Sequence, residues 1–589
     1  MAGGSYTSKS IPLGSKSFSG GLNSTSGELG LQDNESSSLQ NIDFNKFGSI
    51  LKRNGYLNVN TTATGAYGSD GLYWYEYFSA GLLKQTVVNV SNAVIYNMHD
   101  ADGTYHNITG SLTSTPGTYH DFTTFLNKMY ATNGVDRPWY WNGAGNASVI
   151  DALCADSYTF VVTGVTTAPA VGETYTNSAV TYTVVKSFIT DGGGTIVATG
   201  ASNPATSGDL THSSGGTGDA TIAYAEFTPN ANIQKAKYVS QFNNFLFLAN
   251  VTVDGVYYPT RVYYSELKDD TIWSAANYLE VSKDDGQEIT GLRVLSDRLI
   301  VYKTRSIYTI FYTGDVDIPF ILPGGGKTNS PVGCIAPFSI QEVDNGHVFL
   351  ALDGLYFFDS SNTYKLSYRL DATFAGLNQA GFNRVRSLTQ KIKNRYWLAV
   401  SNGASNTNDM VIVWDWFNNA FSLYSGINAS AMRTLYIASS EERPYFIDYL
   451  GYLYRADTGT DDYPAKTKTA INAYYYTNWK SFDDLCDQKG VAHAYIYYQL
   501  NAGILSFAYS YNFDIGDQYV STINMSGNAV LWGNFNWGEV NWSGQGGATI
   551  RRDLLGRGRV VRFKFSNNAQ GETFRIDGFG ALTHLETAS

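Results

Sequence analysis

Short runs of aromatic and aliphatic residues alternate with tight turns along this chain, and the pairs return at a nearly constant step. The run Leu-Ile-Val-Tyr at 299–302 passes Arg305 and Ser306 into a second run at 307–312. The run at 348–352 turns at Asp353 and Gly354 into 355–358, the run at 396–400 is followed by 410–416, and the run from Tyr445 turns near Gly451 into 452–454. The starts at 299, 348, 396 and 445 are 49, 48 and 49 residues apart. Repeats of about 40 to 50 residues carrying several strands each predict propeller blades. Helix signals are nearly absent. Only 271–277 and 371–379 predict a turn or two.

Upstream, runs at 72–78 and 86–90 predict one hairpin unit. A second is predicted at 125–141, where Asn133-Gly134 suggests a type I′ turn because both central residues of that turn need positive φ. Another unit begins at Phe245, turns at Asp254 and Gly255, and returns through 261–264. The step from 125 to 245 is off period, but removing the 71 residues of 156–226 leaves 49. That segment shifts to Thr, Val, Gly and Ala, so we read it as a small β domain inserted at a loop tip, where few buried backbone bonds are broken. Seven starts result.

The expected fold is therefore all-β: a β-propeller of about seven blades with an inserted small β domain and a C-terminal β-sandwich. The divisions are an N-terminal arm (1–64), the first part of the propeller (65–155), the insert (156–226), the second part of the propeller (227–462) and the sandwich (463–589). The arm is polar and punctuated, and is expected to be extended with one or two short strands, some of it able to dock on a neighbour.

Composition supports this outline. The chain has 589 residues, more than one core usually serves, with 43% hydrophobic and only 15% charged residues. The 44 Tyr and 59 Gly favour pleated strands and positive-φ turns. A net charge of -11 argues against a sequence-reading DNA surface, which needs clustered positive charge. Cys154, Cys334 and Cys486 are widely spaced and odd in number, so neither a disulfide framework nor a zinc site follows, and buried thiols are expected. The first residues lack a basic segment followed by an apolar one, so no signal peptide is expected. No run of about 18 apolar residues predicts a membrane span.

Several segments carry a further signal. They are Gly21-Leu22-Asn23, Leu31 to Glu35, Leu39 to Phe44, Gly48 to Gly55, Val348 to Asp359, Leu555 to Arg562 and Arg575 to Phe579. Together they resemble the tail nozzle, or tail tubular B-type, proteins of short-tailed bacteriophages and their packaged-DNA stabilisation relatives. The insert resembles small β modules of phage fibre and tail proteins. The resemblance implies a virion protein made in the host cytoplasm. It implies a homo-oligomer, a hexameric ring at the end of the tail, contacting a portal-side adaptor and fibre or spike proteins. Genomic DNA would pass its channel without sequence-specific binding. It implies no enzyme activity and no cofactor.

Gly324-Gly325-Gly326-Lys327-Thr328 resembles a phosphate loop, but Ile321 stands where its first Gly belongs and Pro331 follows, so a connector is expected. Asp100 and Asp102 begin a calcium-like phrase that fails at Ser111, where a Glu is required. Asp284 and Asp285 read as a solvated turn. His99, His106, His120, His212, His347, His493 and His584 form no known catalytic or metal motif, and structural roles are expected for them. A carboxylate pair for carbohydrate cleavage is spatial and not legible, so a carbohydrate-binding or carbohydrate-cleaving tail protein stays open, as does a monomeric propeller that binds a partner. Trp532, Trp537 and Trp542 offer either a partner-binding aromatic surface or the core of a strand pair, and the alternation favours the core. Arg551, Arg552, Arg557, Arg559, Arg562 and Lys564 form the densest positive stretch. It suits either channel DNA or acidic groups of a neighbouring subunit, the second being preferred.

Overall fold

The computed structural model describes residues 11–584 except 61, 66, 99–103, 154–155, 207, 214–220, 439–440, 482–484, 487, 489, 502, 515 and 526–546. The described chain is almost entirely β, with one short α-helix, Asp371–Ala375, and a few single 3-10 turns. Many hairpins close on two residues that both take positive φ, among them Ala80-Gly81, Leu126-Asn127, Asn243-Asn244 and Asp254-Gly255. Such turns match the right-handed twist of the flanking strands. The turn expected at Asn133-Gly134 differs: only Gly134 has positive φ. The Asn133 carboxamide instead accepts from the backbone N–H of Val135 (3.0 Å) and Asp136 (2.8 Å), opening a wider loop. No described helix is long and apolar enough to cross a membrane.

Seven four-stranded antiparallel meanders are present among the described residues: 71–107, 121–149, 233–280, 289–321, 341–365, 386–425, and 431–456 completed by Tyr56–Asn58. From the third onward, the periodic phrase in the sequence is the second and third strand of each meander. At 72–90 it is the first and second strand, which explains its poorer match to the period.

The chain divides into two compact units. One holds residues 67–352 and 357–364, the other residues up to 66, 353–356 and 365 onward. In the first, consecutive meanders pack face to face. Tyr75 and Val88 meet Met129 and Trp141, while Tyr130 joins Leu248 and Trp273. Phe247 and Tyr264 meet Leu299 and Tyr308, and Tyr302 meets Phe349 at 5.3 Å. A closed six-stranded barrel, running from Ser157 to Pro229, occupies the predicted insert and has its own core of Tyr158, Phe160, Tyr182, Ile196 and Ile222. Its two ends are adjacent, since the Asn230 N–H donates to the Ser157 carbonyl at 3.0 Å.

In the second unit the sixth and seventh meanders share a core that includes Trp397, Val411, Tyr424, Phe446 and Tyr454, together with Tyr56 from the N-terminal segment. Two larger sheets complete it. The six-stranded sheet joins Ile11–Ser15, Ile42–Phe44 and Ile50–Lys52 to Gly490–Gln499, Gly547–Asp553 and Arg575–His584. The seven-stranded sheet joins Gly21–Leu22 and Glu35–Gln40 to strands between 473 and 567. Their facing sides meet where Phe579 lies 5.2 Å from Phe563 and 5.6 Å from Phe565.

The N-terminal segment is thus no free arm. Its strands pair with the last 120 or so residues and with the seventh meander. Four of its sparse apolar residues, Leu22, Leu39, Ile42 and Ile50, are buried there, and backbone pairing supplies the rest.

Candidate interaction site

A pocket of about 300 Å³ opens in the second unit, between the hairpin around residue 46 and two turns of the sixth meander. Local chemistry shapes both walls. The Asn45 carboxamide oxygen accepts from Phe47 N–H (2.9 Å) and Ser49 N–H (2.8 Å), a tight turn that leaves Lys46 and Phe47 exposed. Opposite, Asn394 takes positive φ before the strand Arg395–Val400, and Asp415 accepts from the Asn418 backbone at 3.0 Å.

The lining carries Lys46, Lys52, Lys393 and Arg395 against Asp43 and Asp415, with Phe417 and Ile392 as apolar wall. Arg395 is buried and lies 3.0 Å from Asp43, which also accepts from the Tyr424 hydroxyl. Burial alone would lower the Arg395 pKa, and the Asp43 carboxylate outweighs it. The other guanidinium donors of Arg395 have no hydrogen-bond acceptor among the described residues. Burial pushes the Asp415 carboxyl up. Burial also pulls Lys52 down to about 8 while its ammonium donates to Asn567 Oδ1 (2.8 Å) and the Ala569 carbonyl (3.2 Å). Lys393 pairs with Asp457 at 2.5 Å, and Lys46 sits 5.5 Å from the Phe417 ring centre. The arrangement suits an anionic group presented beside an apolar one.

The six cations singled out in the sequence do not form one patch. Arg551 and Arg552 lie on a strand of the six-stranded sheet, whereas Arg562 and Lys564 lie on the seven-stranded one. Most are already engaged. Arg551 bonds Asp553 (3.1 Å) and approaches His493 (3.1 Å), and Arg552 donates to the Thr522 carbonyl (2.9 Å). Lys564 pairs with Asp517 at 2.7 Å. Arg562 lies over Tyr476 (4.5 Å) and Trp479 (4.6 Å). Arg557 and Arg559 are exposed on the connecting turn. Strand pairing separates what is contiguous in the chain. Trp532, Trp537 and Trp542 lie outside the described residues, as do Cys154, His99, Asp100 and Asp102.

His120 and His347 are buried, and burial pulls both down to about 4. His347 sits 2.9 Å from the Tyr302 hydroxyl and 3.1 Å from the Val294 carbonyl. His106 lies on an outer strand, and among the described residues no group of three His, Cys, Asp or Glu is placed to hold a metal ion. Gly324, Gly325 and Gly326 all take positive φ in a turn with no helix behind it. Cys334 is buried and its thiol is pushed up to about 12 by burial, but Cys486 is exposed, against expectation.

Asp285 also departs from the sequence reading. It is no solvated turn residue: it accepts from the fully buried ammonium of Lys303 (2.8 Å) and from the Tyr308 hydroxyl (3.0 Å). A lysine closing the apolar run Leu299 to Tyr302 of the strand Arg298–Lys303 was the available signal, because such a cation, when buried, needs a nearby carboxylate. The Arg395 pocket had no comparable signal, since its walls come from segments about 350 residues apart.

No known protein family matches the chain, and no curated protein does. Solved structures with partial likeness include YCF48 bound to D1 peptide (11% identity, 72% of this chain and 98% of that one, TM-score 0.33). The N-terminal domain of Nup159 (9%, 71% and 98%, 0.33) and the computationally designed Ika8 protein (11%, 68% and 99%, 0.32) are others.

Proposed function

We propose that this chain is a structural virion protein of a phage tail, whose copies form a ring that closes and guides the DNA exit channel. In this reading the seven meanders are the blades of one propeller, the last closed by Tyr56–Asn58, and the two larger sheets are a β-sandwich. The ring docks a portal-side adaptor and fibre or spike proteins, lets the genome pass without reading its sequence, and performs no chemical turnover.

One observation carries the reading. Apart from Val348 to Asp359, which lies in the fifth meander, the segments on which the family resemblance rests all contribute to the two larger sheets: Leu51 pairs with Arg575 and Ile50 with Ile576 in one, and Gly21, Glu35 and Val561 belong to the other. A shared module gives scattered motifs one physical reason to occur together. The test is mass photometry with negative-stain imaging of the purified chain, alone and with a candidate adaptor. Closed rings are expected. A monomer under both conditions overturns the proposal.

A further inference from the structure

The Arg395 pocket is basic on an acidic protein. Its lining has four cations against two carboxylates, while the whole chain carries -11. Two strongly exposed apolar side chains stand beside it, Phe47 (86% exposed) in the Asn45 turn and Ile392 (59%) in its wall. At the lower end of the range for ligand pockets, about 300–1,000 Å³, it suits a few side chains better than a large cofactor.

The chain also bears a tip with the complementary character. Residues 313–319 form a closed loop, with Thr313 N–H donating to the Pro319 carbonyl at 2.9 Å and the Thr313 hydroxyl to the Ile318 carbonyl at 2.5 Å. Asp315 Oδ1 accepts from Asp317 N–H at 2.8 Å, which fixes the turn. Between these two acids stands Val316, 94% exposed. An acid–apolar–acid tip held by its own hydrogen bonds loses little conformational entropy on docking.

We propose that the Asp315–Val316–Asp317 tip of one copy seats in the Arg395 pocket of a second copy. A tip carboxylate takes the Arg395 donors that no described residue accepts, the second faces Lys46 and Lys393, and Val316 lies against Phe417 and Ile392. The two surfaces differ, so the contact is heterologous, and repetition generates a ring wherever the rotation closes. The inference rests on the ring reading above and names a contact that holds the ring together.

The test reverses charge on each side in the full chain: Asp315→Lys with Asp317→Lys, and Lys46→Glu with Lys393→Glu. All four side chains are exposed, but Asp315 holds its turn and Lys393 pairs with Asp457, so a modest fall in melting temperature is expected in both variants and a mixture of the two separates it from a loss of docking. Mass photometry across a concentration series is expected to show each variant assembling at a concentration at least tenfold higher than wild type. An equimolar mixture of the two variants, in which every alternating contact is again complementary, is expected to restore assembly. Val316→Ser, which touches no internal bond, is expected to weaken assembly by itself and guards against a folding artefact. Wild-type rings unaffected by these changes, or weakened without rescue in the mixture, overturn the contact and leave the ring reading standing. A wild-type chain that stays monomeric overturns both.

Discussion

Arg53 and Asp462 form a buried two-pronged ion pair, Nη1 to Oδ1 at 2.9 Å and Nη2 to Oδ2 at 2.7 Å, joining residues 409 positions apart. The remaining Arg53 donors reach Asn41 Oδ1 (2.7 Å) and the Ser425 carbonyl (2.8 Å), so one side chain ties the N-terminal segment to the sixth meander and to the chain leaving the seventh. Breaking a buried pair leaves its partner charged and unsolvated. Arg53→Ala and Asp462→Ala are each expected to destabilise this unit by roughly 3–5 kcal/mol. The double variant is expected to cost clearly less than the sum, measured by urea denaturation. Additive losses would show that the two charges do not compensate each other.

Phe18 is expected to behave as core, although its segment reads as part of an extended arm. Its ring is fully buried, 5.2 Å from Tyr475 and 6.2 Å from Phe579. Phe18→Ala should cost about 3–5 kcal/mol. A thermal melt unchanged by this substitution would mean the segment is not packed between the two sheets.

The inserted barrel is expected to be removable. Because Ser157 and Asn230 are hydrogen-bonded neighbours, replacing residues 158–229 by a short Gly-Ser bridge should leave the rest melting cooperatively. Loss of a cooperative transition would show that the barrel is integral to its unit.

Barrel seating is expected to weaken in acid. Lys186 of the barrel lies 3.7 Å from Asp270, which also takes Lys128 at 2.8 Å and the Tyr130 hydroxyl at 2.5 Å. Burial would raise the Asp270 carboxyl, but the two ammonium groups outweigh it and hold it below the usual range. The unfolded chain therefore binds this proton first as pH drops. The contribution is present above the ordinary carboxylate pKa of about 4 and is lost as pH falls through the lower folded value. Hydrogen exchange of the barrel base followed from about pH 5 downward through the ordinary carboxylate pKa should show this loss, and Asp270→Asn should remove it.

His120 and His347 predict a second acid sensitivity. Burial holds both near 4 in the fold, against an ordinary value of about 6.5. Between those values the unfolded chain is protonated and the native one is not, so stability rises with pH there and falls on acidification. Each histidine accounts for on the order of 3 kcal/mol across that window. Chemical denaturation of His347→Gln at pH 7 and at pH 4.5 (roughly three quarters of the full effect) should show a smaller pH difference than wild type. An equal difference would exclude His347 as a source.

The repeat was legible because its determinants are local. A hairpin such as Ile233 to Val253 needs an alternating or apolar run, a two-residue turn able to take positive φ, and a second run, all within about twenty positions. The Ser157–Pro229 insert was legible for the same reason, since it interrupts a period and changes composition. Pairing between distant segments was not. Nothing around Gly21, Leu39 or Ile50 names its partner strand, because backbone hydrogen bonds are the same for every residue and register emerges only when both faces find a core. Nor did the run from Arg551 to Lys564 reveal that pairing would send its charges to different sheets. The amino-acid order alone determined the repeating hairpins and the modular period. Tertiary structure decided which acid meets which base and where the N-terminal strands belong, because those contacts join residues hundreds of positions apart and depend on shape that no local pattern encodes.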